Sequence, residues 1–147
     1  MESFSIDKKL NNIKKKFDNE LVYINNSNIE NAGYGVFAKD FIKKNTKLGE
    51  YIGKRYDDMN IMNSKTKDTN YFFEVNDHKN KKKFILDAKP LKYANFSRFI
   101  NGVFTADQYP NQNCKFYQNR GKILVKAIKD INKDDELLIY YGDNYKL

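Results

Sequence analysis

The side chains that most often carry out chemistry are few in this sequence, which excludes several kinds of site. Cys114 is the only cysteine, so neither an internal disulfide nor a cysteine-rich zinc cluster can form. His78 is the only histidine, and its polar surroundings at 76–80 predict a loop rather than a place beside a nucleophile. We therefore expect no metal site and no hydrolysis by a catalytic triad.

Two glycines flank a tyrosine at Gly33-Tyr34-Gly35, directly before an apolar run that predicts a strand. A dinucleotide-binding loop would need a third glycine and a long helix after it, and neither is present. The glycines are consistent with a tight turn, and also with a backbone that approaches a ligand closely. The pattern alone leaves both interpretations open.

An amphipathic helix is predicted for the N-terminal extension, residues 1–21. Its apolar residues recur at helical spacing, namely Leu10, Ile13, Phe17 and Leu21, while the lysines at 14–16 project elsewhere. We interpret this segment as a helix that packs on the domain or on a second subunit, rather than as a tail that binds nucleic acid.

From Val22 onward, short β-like runs alternate with turn residues. The predicted strands are 22–24, 33–38, 47–53, 71–75, 83–87, 122–127 and 136–141, and the fourth and fifth should form a hairpin around His78. The polar stretch 57–70 could hold a short helix or a mobile insert. The absence of alternation between strands and long helices argues against a doubly wound parallel sheet. The sequence predicts one mainly β domain over 22–147.

The charge is strongly positive, with a formal net charge of +8. Such a charge favours acidic partners, yet only three of the 27 basic residues are arginines, which base-reading and phosphate-clamping surfaces prefer. We interpret the charge as a weak attraction to nucleic acid and not as the function.

No run approaches the roughly 18 apolar residues of a membrane span, and no signal peptide is evident. We therefore expect a soluble intracellular protein with no membrane partner.

Several short segments, each common by itself, occur together in a fixed order. They are 33–38, 49–53, 70–73, 86–88, 94–101, the pair Asn113-Cys114, 125–131 and 135–142. This ordered set, spanning about residues 22 to 145, resembles the SET domain of protein lysine methyltransferases. The ending at 141–145, without cysteine-rich flanks, looks closest to the small SET proteins of large DNA viruses.

The resemblance implies small β-sheets with a pseudoknot, in which the C-terminal segment passes beneath the loop holding Asn101. It also implies two pockets joined by a narrow channel, one for S-adenosylmethionine and one for the substrate lysine. Tyr141 matches the catalytic tyrosine and Tyr51 the tyrosine of the lysine channel. The positions that match the cofactor site are Ala32, Gly33, Tyr34, Gly35, Asn70, Tyr71, Arg98, Asn101 and Gly102. No metal is implied.

Two features of the match bear on activity. Gly102 stands where the family usually has histidine, which makes the loop more flexible and motivates an alternative: a SET-fold binding module with weak catalysis. Ile139, two residues before Tyr141, occupies a position that often tunes the number of methyl groups added. Neither Ile139 nor Phe116, both placed in the lysine channel, has a hydroxyl group. We expect the dimethyl state at least to be reached.

The resemblance favours a histone H3-type tail as the substrate, with a place in chromatin and the nucleus. A non-histone protein is the alternative. Because enzyme and histone tail are both basic, a nucleosome, whose DNA would attract the lysines, could be a better substrate than a peptide. The lysine channel needs a further wall, which the tail at 142–147 or a second subunit in a homodimer could supply. The weakest hypothesis is a nucleic-acid-binding protein, because charge alone suggests it.

Overall fold

The computed structural model describes residues 2–63, 69–102 and 111–139. One helix, α1 (Glu2–Phe17), precedes a succession of short strands, so the mainly β prediction is confirmed. The strands are β1 (Val22–Asn26), β2 (Tyr34–Ala38), β3 (Lys47–Tyr51), β4 (Lys54–Tyr56), β5 (Phe72–Asp77), β6 (Lys82–Asp87), β7 (Asn101–Gly102), β8 (Cys114–Asn119), β9 (Lys122–Ala127) and β10 (Leu138–Ile139).

The strands form three sheets: the β1–β2 hairpin, a five-stranded sheet in the order β3-β9-β8-β10-β7, and a three-stranded sheet in the order β4-β6-β5. The predicted hairpin around His78 is confirmed as β5 and β6, with His78 exposed in its turn. In the five-stranded sheet, β10 pairs in parallel with both β7 and β8. The C-terminal strand thus lies between two strands that follow each other along the chain, which is the crossing that a pseudoknot requires.

Helix α1 packs on the main core through one apolar face. Phe17 is buried and meets Phe99 edge-to-face with ring centroids 5.0 Å apart, and Leu10 and Ile13 pack on the same cluster. The prediction for Leu21 was wrong, since the helix ends at Phe17 and Leu21 is 37% exposed. The reason is a turn, because the Asn19 side chain accepts the backbone N–H of Leu21 at 2.8 Å. The division at residue 21 stays a prediction.

Two apolar clusters meet where the site is built. The larger one joins α1, β1, β2 and the strands around Cys114 and Ile139, and the smaller one contains Tyr51, Phe73 and Ile123. Phe116 packs against both clusters. A side chain at such a junction couples the positions of the two halves of the fold.

The polar stretch 57–70 contains short 3-10 helices at Met59–Asn63 and Thr69–Tyr71, and residues 64–68 lie outside the described part. None of the helices in the described ranges is long and apolar enough to span a membrane.

Candidate functional site

The C-terminal chain is held in place by one buried asparagine. Asn113 donates from Nδ2 to the carbonyl of Glu136 at 2.9 Å and accepts the N–H of Leu138 on Oδ1 at 2.8 Å. Its own backbone N–H donates to the Leu138 carbonyl at 3.0 Å. These bonds fix residues 136–138, so the chain reaches Ile139 in a defined register. Asn113 was recognised as part of a motif but was assigned no role.

Glu136 is the polar centre of the site, although its sequence position suggested only the end of a strand. Its buried carboxylate accepts the Ser27 hydroxyl at 2.8 Å, the Asn28 N–H at 2.8 Å and the Asn101 side-chain amide at 3.1 Å. Three donors satisfy a charge that would be costly to bury alone. Glu136 thereby ties the β1–β2 turn to β7. It structures the site rather than acting as an acid or base.

The glycine motif wraps closely around this carboxylate. A Cβ atom on Gly35 would collide with the Glu136 carboxylate and lie 3.3 Å from Nδ2 of Asn101. Gly33 has a φ of +73°, and a Cβ built there would meet no atom within 4 Å. Gly35 is therefore needed for packing, whereas Gly33 presents its backbone to open space, and Ala32 beside it is half-buried. The positive φ of Gly33 fits the tight-turn interpretation, whereas the close approach of a ligand stays a prediction.

Asn101 joins the glycine motif to β7. Its Nδ2 donates to the Tyr34 carbonyl at 3.0 Å as well as to Glu136. Both amide hydrogens therefore serve protein acceptors, which orients the side chain and leaves Oδ1 as its acceptor group. Gly102 follows in the ladder as the partner of Ile139. The predicted residues Gly33, Tyr34, Gly35, Asn101 and Gly102 thus come together.

Arg98 makes hydrogen bonds and cation–π contacts that could not be predicted from the sequence. Its Nε donates to the carbonyls of Ala88 at 2.8 Å and Lys89 at 3.2 Å. Its guanidinium lies 4.4 Å from the ring centroid of Tyr71 and 5.1 Å from that of Phe99. Arg98 therefore fastens the end of β6 and fixes the Tyr71 ring, on which a cation–π contact acts.

Phe99 connects this group to the glycine motif, since its ring also packs edge-to-face on Tyr34 at 6.3 Å. Asn70 is exposed immediately before Tyr71. The predicted cofactor residues accordingly fall into two groups, one around Glu136 and one around Arg98, with Phe99 between them. Each group draws its side chains from segments far apart in the sequence.

The short helix that carries Arg98 is positioned by Asn95, which was not singled out. The Asn95 side chain accepts the Ser97 N–H at 3.0 Å as a helix cap and donates to the Glu50 carbonyl at 2.7 Å. Phe96 lies so close to Gly49 that a Cβ there would be 2.8 Å from its ring. Both contacts join the helix to β3, whose last residue, Tyr51, is predicted to line the lysine channel.

Tyr51 lies in a cluster of three aromatic rings. Its ring is 5.4 Å from Phe116 and 5.7 Å from Phe73, and Phe73 and Phe116 are 5.4 Å apart. The Tyr51 hydroxyl donates to the Tyr71 carbonyl at 2.7 Å, which links a residue predicted for the lysine channel to one predicted for the cofactor site. Ile139 is fully buried beside Gly102 and Cys114. Tyr141, the predicted catalytic residue, lies outside the described residues.

An open cleft of about 630 Å³ lies between the β5–β6 hairpin and β8. Phe73 and Phe116 form part of its wall, so it borders the aromatic cluster that contains Tyr51. Its rim carries Lys83, Lys115 and Glu74. This is where a peptide could approach the aromatic group.

The single cysteine takes no part in nucleophilic chemistry. Burial raises the pKa of the Cys114 thiol, which therefore stays protonated and donates to Oδ1 of Asn113 at 3.2 Å. In the described ranges, His, Cys, Asp and Glu side chains form no group of three or more that could hold a metal ion.

Known proteins are similar to this chain in sequence. A family model for the PR domain of PR domain zinc finger protein 2 matches residues 22–147. Histone-lysine N-methyltransferase set-17 of Caenorhabditis elegans is 31% identical over 128 residues, which are 85% of this chain and 42% of the worm protein. Mouse PR domain zinc finger protein 14 is 27% identical over 77% of this chain and 19% of its own length. The chain thus spans less than half of these relatives.

Two solved structures extend the likeness. The methyltransferase domain of human PR domain-containing protein 2 has a TM-score of 0.68 at 23% identity, covering 91% of this chain and 85% of that one, which shows the fold. The Chaetomium thermophilum polycomb repressive complex 2, bound to S-adenosylmethionine, has a TM-score of 0.65 at 27% identity, covering 88% and 16%. The expected closeness to small viral SET proteins stays a prediction.

Proposed function

We propose that this chain, which belongs to the PR/SET domain family, transfers methyl groups from S-adenosylmethionine to lysine side chains of a protein. The observation that carries the proposal is the placement of β10 between β7 and β8, pinned by Asn113. This placement brings the chain to Ile139, two residues before Tyr141, beside the residues matched to the cofactor site. Relatives named as histone-lysine methyltransferases support the same activity.

The residues around Asn101 fit S-adenosylmethionine. The cofactor carries an ammonium group, and Oδ1 of Asn101 is an acceptor held in orientation by the two bonds from Nδ2. The open backbone at Gly33 allows a close approach, and Tyr71, fixed by Arg98, offers an aromatic face. We assign Ala32, Gly33, Tyr34, Gly35, Asn70, Tyr71, Arg98, Asn101 and Gly102 to this site.

S-Adenosylmethionine supplies a methyl group on a positively charged sulfonium. The lysine ammonium would first give a proton to solvent, and an N–C bond would then form as the S–C bond breaks. The sulfur would be left as a neutral thioether, and the positive charge would pass to the methylated nitrogen. Tyr51, Phe73 and Phe116 provide apolar ring surface that disfavours the ammonium form of the lysine. The remaining task is alignment, because in-line displacement depends mainly on positioning. We assign that task to Tyr141, with Tyr51 as part of the channel.

The channel residues favour more than one round of methylation. Ile139 and Phe116 carry no hydroxyl that could anchor a water molecule against a partly methylated amine. We expect a mass-spectrometric time course with excess cofactor to pass the monomethyl state. Accumulation of monomethyl product alone would contradict this assignment.

A histone tail, most simply of the H3 type, is the proposed substrate, which implies a nuclear place of action. Relatives named for histone-lysine methylation support it. The net charge of +8 opposes the approach of a free basic tail, so a nucleosome is the expected better substrate. A homodimer remains part of the proposal, because a second copy could complete the wall of the lysine channel. A non-histone protein is the alternative.

The test uses radiolabelled S-adenosylmethionine with core histones, nucleosomes and the protein itself, comparing wild type with Tyr141→Phe. Label on one histone band that is lost in the variant supports the proposal and identifies the substrate class. Cofactor binding by calorimetry without any label would instead favour a non-histone substrate or the binding module suggested by Gly102. Absence of cofactor binding would refute the proposal.

A further inference from the structure

Three lysines stand side by side across the five-stranded sheet. The strand register pairs Lys47 of β3 with Lys126 of β9, and Lys126 with Lys115 of β8. Directly paired residues point to the same face, so the three side chains form one row, hereafter the lysine row. Neighbouring strands lie about 4.8 Å apart, which makes the row roughly 10 Å wide. Lys47 and Lys115 are exposed and Lys126 is half-buried.

The lysine row is unfavourable for the fold by itself, since like charges directly opposite each other destabilise a sheet. By the same register, Glu50 is the carboxylate that the described strands bring to this face, and it lies 3.9 Å from Lys122 rather than in the row. Lys126 instead lies 5.2 Å from the ring centroid of Tyr117. The described residues thus concentrate positive charge here without neutralising it, which suggests an anionic partner.

We propose that the lysine row binds the phosphate backbone of duplex DNA without reading its sequence. The row contains lysine alone, and phosphate contacts from lysine position a protein on DNA without conveying sequence information. DNA also presents phosphates at a density that an acidic polypeptide rarely reaches, at one charge per about 1.7 Å of helix axis. A flat row of three cations is suited to such an extended, regular anion.

The row also leads toward the proposed substrate side. Lys115 belongs both to the row and to the cleft of about 630 Å³, where it is joined by Lys83 and Phe116. Because Phe116 and Tyr51 project from the other face of the sheet, DNA on the row would hold a nucleosome beside the cleft at Lys115 rather than against the aromatic cluster. This last step rests on the proposed methyltransferase function, whereas the DNA contact itself does not.

The experiment measures binding of a fluorescent DNA duplex by anisotropy between 50 and 200 mM salt, without cofactor. It compares wild type with the triple variant K47Q/K115Q/K126Q and with K9Q/K79Q/K133Q, a control that removes the same charge from three separate exposed positions. Loss of three phosphate contacts should reduce the salt slope by about 2.7, equivalent to roughly 40-fold across this range. The control should change the slope by less than about 1.

Equal losses in the two triple variants would overturn the proposal, because they would show diffuse attraction rather than a site. So would displacement of DNA by poly-glutamate at matched charge concentration, which would point to an acidic protein partner. Thermal unfolding serves as the folding check, and the row variant should be no less stable than wild type, since it loses like-charge pairs. For the comparison with catalysis the double variant K47Q/K126Q is used, because Lys115 also lines the cleft. DNA binding weakened in K47Q/K126Q while transfer to a free peptide persists would separate this surface from catalysis.

Discussion

Replacing Glu136 by glutamine tests whether this carboxylate organises the site. Three donors converge on it, two on Oε2 and one on Oε1. Glutamine keeps one oxygen and presents an NH₂ group in place of the other. In either orientation an N–H of Asn28 or of Asn101 then faces another donor and loses its partner.

The expected loss of stability follows from the number of hydrogen bonds that the substitution removes. A hydrogen bond to a charged group contributes about 1.5–3 kcal/mol, and at least one is lost. At about 2–4 °C per kcal/mol for a chain of this size, the thermal midpoint of Glu136→Gln should fall by roughly 3–12 °C. Misorientation of Asn101 should also weaken S-adenosylmethionine binding about fivefold, the equivalent of one hydrogen bond of about 1 kcal/mol.

Circular dichroism gives the midpoint and calorimetry the dissociation constant. Glu20→Gln is the matched control, because Glu20 is exposed and the same atoms are exchanged. The control should leave both quantities unchanged. A midpoint for Glu136→Gln within about 1 °C of wild type, together with an unchanged cofactor affinity, would refute the assigned role.

Three further substitutions probe other contacts. Gly35→Ala forces a methyl group against Glu136 and should cost about 1–3 kcal/mol in urea unfolding, whereas a neutral result would mean that the turn relaxes. Asn113→Ala leaves the buried Glu136 carbonyl and the half-buried Leu138 N–H without their partner and should cost about 2–6 kcal/mol. Hydrogen exchange at 136–138 should become faster, and unchanged exchange would contradict the assigned role. Burial, assisted by Asp134, raises the pKa of Tyr23 to about 12. Because an unfolded tyrosine titrates near 10, this stabilisation is present below about pH 10 and lost as pH rises through 12, so Tyr23→Phe should flatten the pH dependence of the thermal midpoint there.

Several strand positions could be predicted because their runs of apolar, β-branched and aromatic residues are local, whereas β4, β7 and β8 were not predicted. The runs that became β5, β6 and β9 carry that signal within six residues each. Leu21 fitted the helical period but lay beyond a turn made by Asn19, and capping turns of this kind compete with periodicity. The helix end was therefore placed too late.

The polar contacts of the site could not be predicted from local pattern. Ser27 and Glu136 are 109 residues apart, and nothing near either residue indicates the other. Arg98 could be matched to a cofactor position, but its bonds to the Ala88 and Lys89 carbonyls depend on where β6 ends. Ordered motifs indicated which segments come together, whereas the donors and acceptors required the folded chain.

The buried polar contacts around β10 have a consequence for catalysis. Within the described residues, β10 pairs with β7 at two positions, Leu138 with Asn101 and Ile139 with Gly102, so its register is defined there by few backbone contacts. A slip by one residue would move the following chain by about 3.3 Å, while misplacement by about 1 Å can cost 100-fold in rate. Asn113 bonds the backbone at Glu136 and Leu138, and the Glu136 side chain is held by three donors. These bonds therefore stabilise the fold and also fix the register of β10, from which the chain continues toward the proposed catalytic Tyr141.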